Sequence, residues 1–209
     1  MTVLYDISQT VTATTPTWPG DTVVTADRTW QIDAECPVNV ARVTMSTHTG
    51  THADAPLHYD ARGHAIDAVS LAPYLGRARV VDLRGRGPLA TAAMIAPALA
   101  PGVERVLLRT YDRFPADRWD EAFMAIDADA VRTMAAHGVI LIGTDAPSID
   151  PQHSKTLDAH HAVRAADMRI LEGLVLDGVS PGDYELIALP LKLGGLDAAP
   201  VRAVLRTIP

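Results

Sequence analysis

The chain of 209 residues carries 18 Lys+Arg against 25 Asp+Glu, a formal net charge of −7 that argues against non-specific nucleic-acid binding. Apolar residues at 48% and charged residues at 21% are those of a globular domain long enough to bury a core without staples. The single cysteine, Cys36, excludes a disulfide framework or a Cys-rich zinc site and fits a reducing cytoplasm, and no apolar run is long enough for a signal peptide or a membrane span.

In chain order, Val3–Ile7 and the segment around Arg28–Ile32 have weak strand character, while Val40–Met45 and Ala78–Leu83 are stronger strands. Residues 89–100 are Ala-rich and helical in composition, but Pro97 interrupts them. Strands are expected at Arg105–Thr110 and Val139–Thr144, with a helix between them that Asp129 can cap, that runs to His137 and that Gly138 ends. A second helix is expected after Thr156 or Asp158, running to about Asp167; Tyr184–Leu191 and Val201–Ile208 then return to strand. Without an internal repeat, low-complexity tract or Gly/Ser linker, residues 1–209 read as one α/β domain with a mixed sheet and few helices.

Histidine placement is the main functional signal. Of the eight His, four fall within 48–64 (His48, His52, His58, His64) and three within 153–161 (His153, His160, His161). The string His48-Thr-Gly-Thr-His52-Ala-Asp54-Ala-Pro-Leu-His58 combines neutral imidazoles with a carboxylate, which is the chemistry of a metal site. On an extended backbone His52 and Asp54 share one face, about 6.6–6.8 Å apart along the strand. His48 lies about 13 Å from His52 if the chain is fully extended, too far for one ion. The segment between them is a poor helix former, so the chain is expected to leave a strand near His48 and turn at Gly50. Pro56 then gives His58 a position of its own. His64 sits in an exposed-looking turn, and His137 at a helix C-terminus where a cation is welcome.

A second group of ligands is sought in 153–172. His160 and His161 are adjacent on a helix and point about 100° apart, so only one can face a given site, and periodicity does not say which. Glu172 lies in an apolar run, where a buried carboxylate needs either a cation or an Arg partner. Two further motifs fail on chemistry. Gly178-Val-Ser180-Pro-Gly182 has the serine-hydrolase spacing, but Pro181 lacks the N–H an oxyanion hole needs and no His follows it. Gly85-Arg-Gly87 lacks the third Gly of a dinucleotide loop and reads as a turn. Cys36 has no local basic partner and reads as packing or an incidental thiol. Trp18-Pro-Gly-Asp21 is a turn by composition, its Trp either a ligand wall or a loop anchor.

The H-x-G-T-H-x-D-x-P-x-H string from His48 to His58 resembles the signature of the metal-dependent cyclase family, nearest to its bacterial kynurenine formamidase branch. The likeness extends to Leu4–Ser8, Trp18–Asp21, Gly143-Thr-Asp-Ala-Pro-Ser148, the His160-His161 pair and Ile170–Leu174, and no position departs from the motif. The resemblance implies a swivelling β/β/α fold, a homodimer and two zinc ions, although the N/O donor set also suits manganese. It implies that His48 and His52 hold the first zinc, that Asp54 and Glu172 are shared, and that His160 completes the second. His58 would be the proton donor and acceptor, and Trp18 would touch substrate. The implied reaction is hydrolysis of N-formyl-L-kynurenine to L-kynurenine and formate by a metal-bound hydroxide, in the cytoplasm, with neither nucleic acid nor membrane involved. A sibling amide hydrolase, such as one opening isatin, and a non-catalytic metal-binding module are the alternatives.

Overall fold

The computed structural model describes residues 2–208. Its strands are β1 (Leu4–Asp6), β2 (Thr25–Trp30), β3 (Val40–Thr44), β4 (His52–Asp54), β5 (Leu75–Asp82), β6 (Leu89–Ala90), β7 (Arg105–Arg109), β8 (Ala125–Ile126), β9 (Leu141–Thr144), β10 (Arg169–Glu172), β11 (Gly182–Ile187), β12 (Ala198–Pro200) and β13 (Val204–Thr207). Its α-helices are α1 (Ala92–Ile95), α2 (Ala128–Ala136) and α3 (Asp158–Ala165).

Nine strands form one sheet in the order β1-β13-β11-β5-β7-β9-β10-β4-β12. Its centre, β5-β7-β9-β10, is parallel. Antiparallel strands flank it: β11, β13 and β1 on one side, β4 and β12 on the other. The parallel strands are apolar on both faces, as expected of strands buried on both sides. Val106, Leu108, Ile142 and Ile170 point to a core layer completed by Ile95 of α1, Val131 and Met134 of α2, and Ala159 and Val163 of α3. Leu107, Leu141, Leu171 and Ala53 point the other way, against Ile7, Tyr74, Leu174, Leu186 and Leu205. A one-residue change of register would exchange these two sets.

The expected mixed-sheet α/β domain is what forms, with adjustments at element ends. Of the strand expected over Val201–Ile208 only Val204–Thr207, β13, forms; Val201 makes an isolated bridge to Pro190, and β12 lies just before the expected range. The strand expected over Tyr184–Leu191 ends at Ile187, and the one before Gly50 ends at Thr44 instead of near His48. The cap of α2 is Asp127, whose side chain accepts the Asp129 N–H, so Asp129 is already inside the helix. β10 was not among the expected strands. No helix among the described residues is long and apolar enough to cross a membrane.

Candidate metal centre and cavity

β4 carries the first part of the site because its pairing is fixed on both sides. Against β10, His52 lies opposite Glu172, Ala53 opposite Leu171 and Asp54 opposite Ile170. Alternation therefore turns His52, Asp54 and Glu172 to the helix-covered face, while Ala53 joins the opposite core layer. The preceding turn is at Gly50, with φ +68°, and it folds His48 back until its ring centroid is 5.0 Å from that of His52. α3 then supplies His160, which is buried, while its neighbour His161 is exposed.

These groups converge. Asp54 Oδ1 is 3.1 Å from His48 Nδ1 and 3.4 Å from His52 Nε2, and Asp54 Oδ2 is 3.5 Å from His160 Nε2. Glu172 has the same two-sided placement: Oε2 is 3.3 Å from His52 Nε2 and Oε1 is 3.8 Å from His160 Nε2. Each carboxylate thus lies between His52 and His160. The donor atoms of His48, His52 and Asp54 lie within 4.8 Å of one another, and so do those of Asp54, His58 and His160.

Neighbouring groups orient the imidazoles. His52 Nδ1–H donates to the Gly50 carbonyl at 2.9 Å, and His160 Nδ1–H donates to Asp150 Oδ2 at 2.6 Å, so both Nε2 atoms face the cluster. Asp150 also accepts the N–H groups of Ala159 and His160, satisfying the first turn of α3 from eight residues before its start. His52 Nε2, His160 Nε2 and both Asp54 carboxylate oxygens are buried without hydrogen-bond partners. Four buried orphans facing each other are costly unless a cation gathers them, so these residues fit a metal.

The electrostatics show the same tension. Burial disfavours the His52 imidazolium, but Asp54 and Glu172 outweigh it and push the imidazole up to about 10. Burial likewise opposes charge on His160, yet Asp150 and Asp54 push it up to about 10. Asp54 is buried, which favours its neutral form, but His160, His48 and His52 hold it well below the usual carboxylate range.

Asp197 was not anticipated. It lies just before β12 and places Oδ2 at 3.0 Å from His48 Nε2 and 3.4 Å from His58 Nδ1. Burial raises its pKa, but the His48 contact holds it down at about 2. His58 is one-third exposed, its ring centroid 4.2 Å from that of His48 and 5.8 Å from that of His160. His64, His137 and His161 are exposed and outside the cluster, and Ser180 is exposed two residues after a turn at 177–178.

Above the cluster opens a cavity of about 550 Å³ whose lining includes His48, His52, His58, His160 and Glu172. Its far wall is aromatic. Trp18 is held by a turn in which Asp21 N–H donates to the Trp18 carbonyl at 2.9 Å, with Pro19 and then Gly20 at φ +89°, the residue order a type II turn prefers. The Trp18 ring meets Trp119 edge-on at 5.3 Å and leans on Phe123 at 6.4 Å. Tyr111 and Phe114 complete the wall. Sequence reading found Trp18 but not these partners, which lie about a hundred residues away in ordinary loop sequence.

The fold and site define an α/β protein with a buried histidine–carboxylate centre beneath an aromatic-walled cavity. The family model "Putative cyclase" matches residues 5–151, so the chain belongs to the cyclase family. A solved structure described as a potential metal-dependent hydrolase with cyclase activity is 29% identical over 100% of both chains, with a TM-score of 0.86. A predicted metal-dependent hydrolase from Bacillus stearothermophilus is also 29% identical over 100% of both chains, at 0.85. An isatin hydrolase bound to the product analogue thioisatinate shares the fold, at 21% identity and a TM-score of 0.85 over 100% of this chain and 93% of that one.

Proposed function

We propose that the protein is a metal-dependent arylformamidase that hydrolyses N-formyl-L-kynurenine to L-kynurenine and formate in tryptophan degradation. The observation that carries this reading is the set of buried, partnerless donor atoms of His52, Asp54 and His160 at the floor of an aromatic-walled cavity. His48 and His52 would hold one zinc ion, His160 would hold the second, and Asp54 and Glu172 would serve both; the two-sided placement of each carboxylate supports this division. Manganese suits the same donors.

Divalent ions held there would supply a water acidic enough to attack at neutral pH and would polarise the formyl oxygen. His58 is the proton carrier. Its side chain lines the cavity, and Asp197 accepts from Nδ1–H at 3.4 Å, which leaves Nε2 free to exchange a proton. It takes the proton released as water adds to the formyl carbon and delivers it to the aryl nitrogen as the C–N bond breaks. Trp18 and Trp119 hold the ring of the substrate. The family resemblance adds a homodimer, and the β2–β3 hairpin, with Trp30, Val40 and Val43 exposed, supports that proposal; sedimentation at micromolar concentration measures it.

Turnover of N-formyl-L-kynurenine, followed by kynurenine absorbance, tests the reading on protein stripped of metal and reloaded with zinc. Activity should vanish on stripping and return on reloading. Folded, reloaded protein that leaves this substrate untouched sinks the formamidase reading and directs attention to ring-opening of cyclic amides such as isatin.

A further inference from the structure

The cavity has a second polar end, remote from the cluster in chemistry. Among the described residues lining it, Arg118 is the one Lys or Arg, and its guanidinium makes neither an ion pair nor a hydrogen bond to any of them. The loop that carries it is fixed at several points. Asp145 accepts the N–H of Thr110 at 2.9 Å and that of Tyr111 at 3.1 Å. Asp177 accepts the Phe114 N–H at 2.9 Å, and Trp119 Nε1–H donates to Gln152 Oε1 at 2.6 Å. Trp119 itself packs on Trp18. Arg118 is therefore presented from an ordered segment between two aromatic residues of the wall.

Two residues further on, Asp120 lines the same end. It accepts the Tyr111 hydroxyl at 2.9 Å and the Ala122 N–H at 3.1 Å, and each carboxylate oxygen keeps a free lone pair. The lining thus offers one unpaired cation and, two residues on in the chain, one anion, together with the aromatic wall. A neutral aryl amide would leave Arg118 unpaired and bring no cation to Asp120. A simple anion would meet Arg118 but also the negative field of Asp120 and Asp21, which lines the cavity too. A group carrying both charges satisfies both.

We infer that Arg118 receives the carboxylate, and Asp120 the ammonium, of an aromatic amide with an amino-acid tail, so that this end of the cavity selects zwitterionic substrates. The inference rests on the amide-hydrolase reading above and names what that site discriminates. Guanidinium and carboxylate pair through charge-assisted hydrogen bonds, and loss of one such contact is worth about tenfold or more in affinity.

The test compares N-formyl-L-kynurenine with formanilide, which has the same reacting group and no tail, in zinc-loaded wild-type protein and in Arg118→Ala and Arg118→Lys. Binding of L-kynurenine and of its decarboxylated counterpart, followed by quenching of tryptophan emission, gives a readout independent of turnover. Arg118→Ala should cut the kcat/KM preference for the tailed substrate at least tenfold, chiefly through KM, and abolish the preference for L-kynurenine over the decarboxylated amine. Arg118→Lys should restore part of both. Equal losses on both substrates, or an unchanged binding preference, would overturn the proposal while leaving the formamidase reading intact. Wild-type protein that hydrolyses neither substrate would overturn both.

Discussion

Asp197 and His58 form the proposed proton-handling pair beside the cluster, Asp197 Oδ2 3.4 Å from His58 Nδ1. His58 lies beside the cluster but is part-exposed, whereas His52 and His160 are buried with one nitrogen each committed to Gly50 or Asp150. A proton carrier needs that access and a metal ligand does not. His58→Asn should therefore lower kcat by about two to four orders of magnitude while bound zinc stays near the wild-type amount, measured by metal analysis beside turnover. Loss of zinc together with activity would make His58 a ligand, a role its proximity to Asp54 and His160 also allows. His48 to His58 was legible in the sequence because four functional residues fall within eleven positions, and the turn at Gly50 follows from their spacing. Asp197 and Trp119 were not, because each reaches the site across a long stretch of chain; Asp150 is only ten residues from His160, but nothing in the loop before α3 marks it as that ring's partner. Asp197 follows an unremarkable Gly-Gly-Leu, and nothing local marks it as the partner of two histidines.

Among the elements, the pairing of β4 with β10 does the assembling. It sets His52 opposite Glu172, and it brings the turns at the ends of the two strands into contact. Gly173 has φ +63°, and a Cβ there would lie 2.5 Å from the Gly50 carbonyl oxygen, the same oxygen that accepts His52 Nδ1–H. Gly178, at φ +72°, has open space around it and provides a control for backbone strain alone. Gly178→Ala should cost about 1–2 kcal/mol from the left-handed backbone. Gly173→Ala should cost about 1–2 kcal/mol more and weaken zinc binding, since the displaced carbonyl no longer fixes the His52 ring. Denaturant midpoints and a competing chelator measure the two effects; equal behaviour of the two variants would remove Gly173 from the account of the site. β10 escaped sequence reading because Arg169-Ile-Leu-Glu172 is four residues long with a charge at each end, and only its neighbours β9 and β4 make it a strand. The same physics sets the start of β13 at Val204: β12, just upstream, pairs with β4, whereas β13 pairs with β11 and β1, so the chain changes partners over Val201–Ala203.

For the molecule as a whole, protons and metal compete for one set of atoms. Asp54 and Glu172 push His52 up to about 10 against the opposition of burial, and Asp150 and Asp54 do the same for His160. Because these folded-state values lie above the unfolded value of about 6.5, protonation stabilises the metal-free fold fully below pH 6.5, and that contribution is lost as pH rises toward 10. Zinc requires the neutral imidazoles, so its binding must expel the protons. Between about pH 6.5 and 10, zinc affinity should rise with pH, and loading near pH 7 should release about two protons per chain from His52 and His160, with a further share from His48, whose imidazole burial pushes down but Asp54 holds above its usual value. Calorimetry in two buffers of different ionisation enthalpy counts them directly. Loading that releases no protons, with an affinity flat across this range, would mean that His52 and His160 are already neutral in the metal-free protein. The thermal midpoint supplies the complementary sign: it should fall with rising pH above 6.5 in stripped protein, and zinc should offset that fall because it takes over the charge balance of Asp54 and Glu172 that the protons had provided.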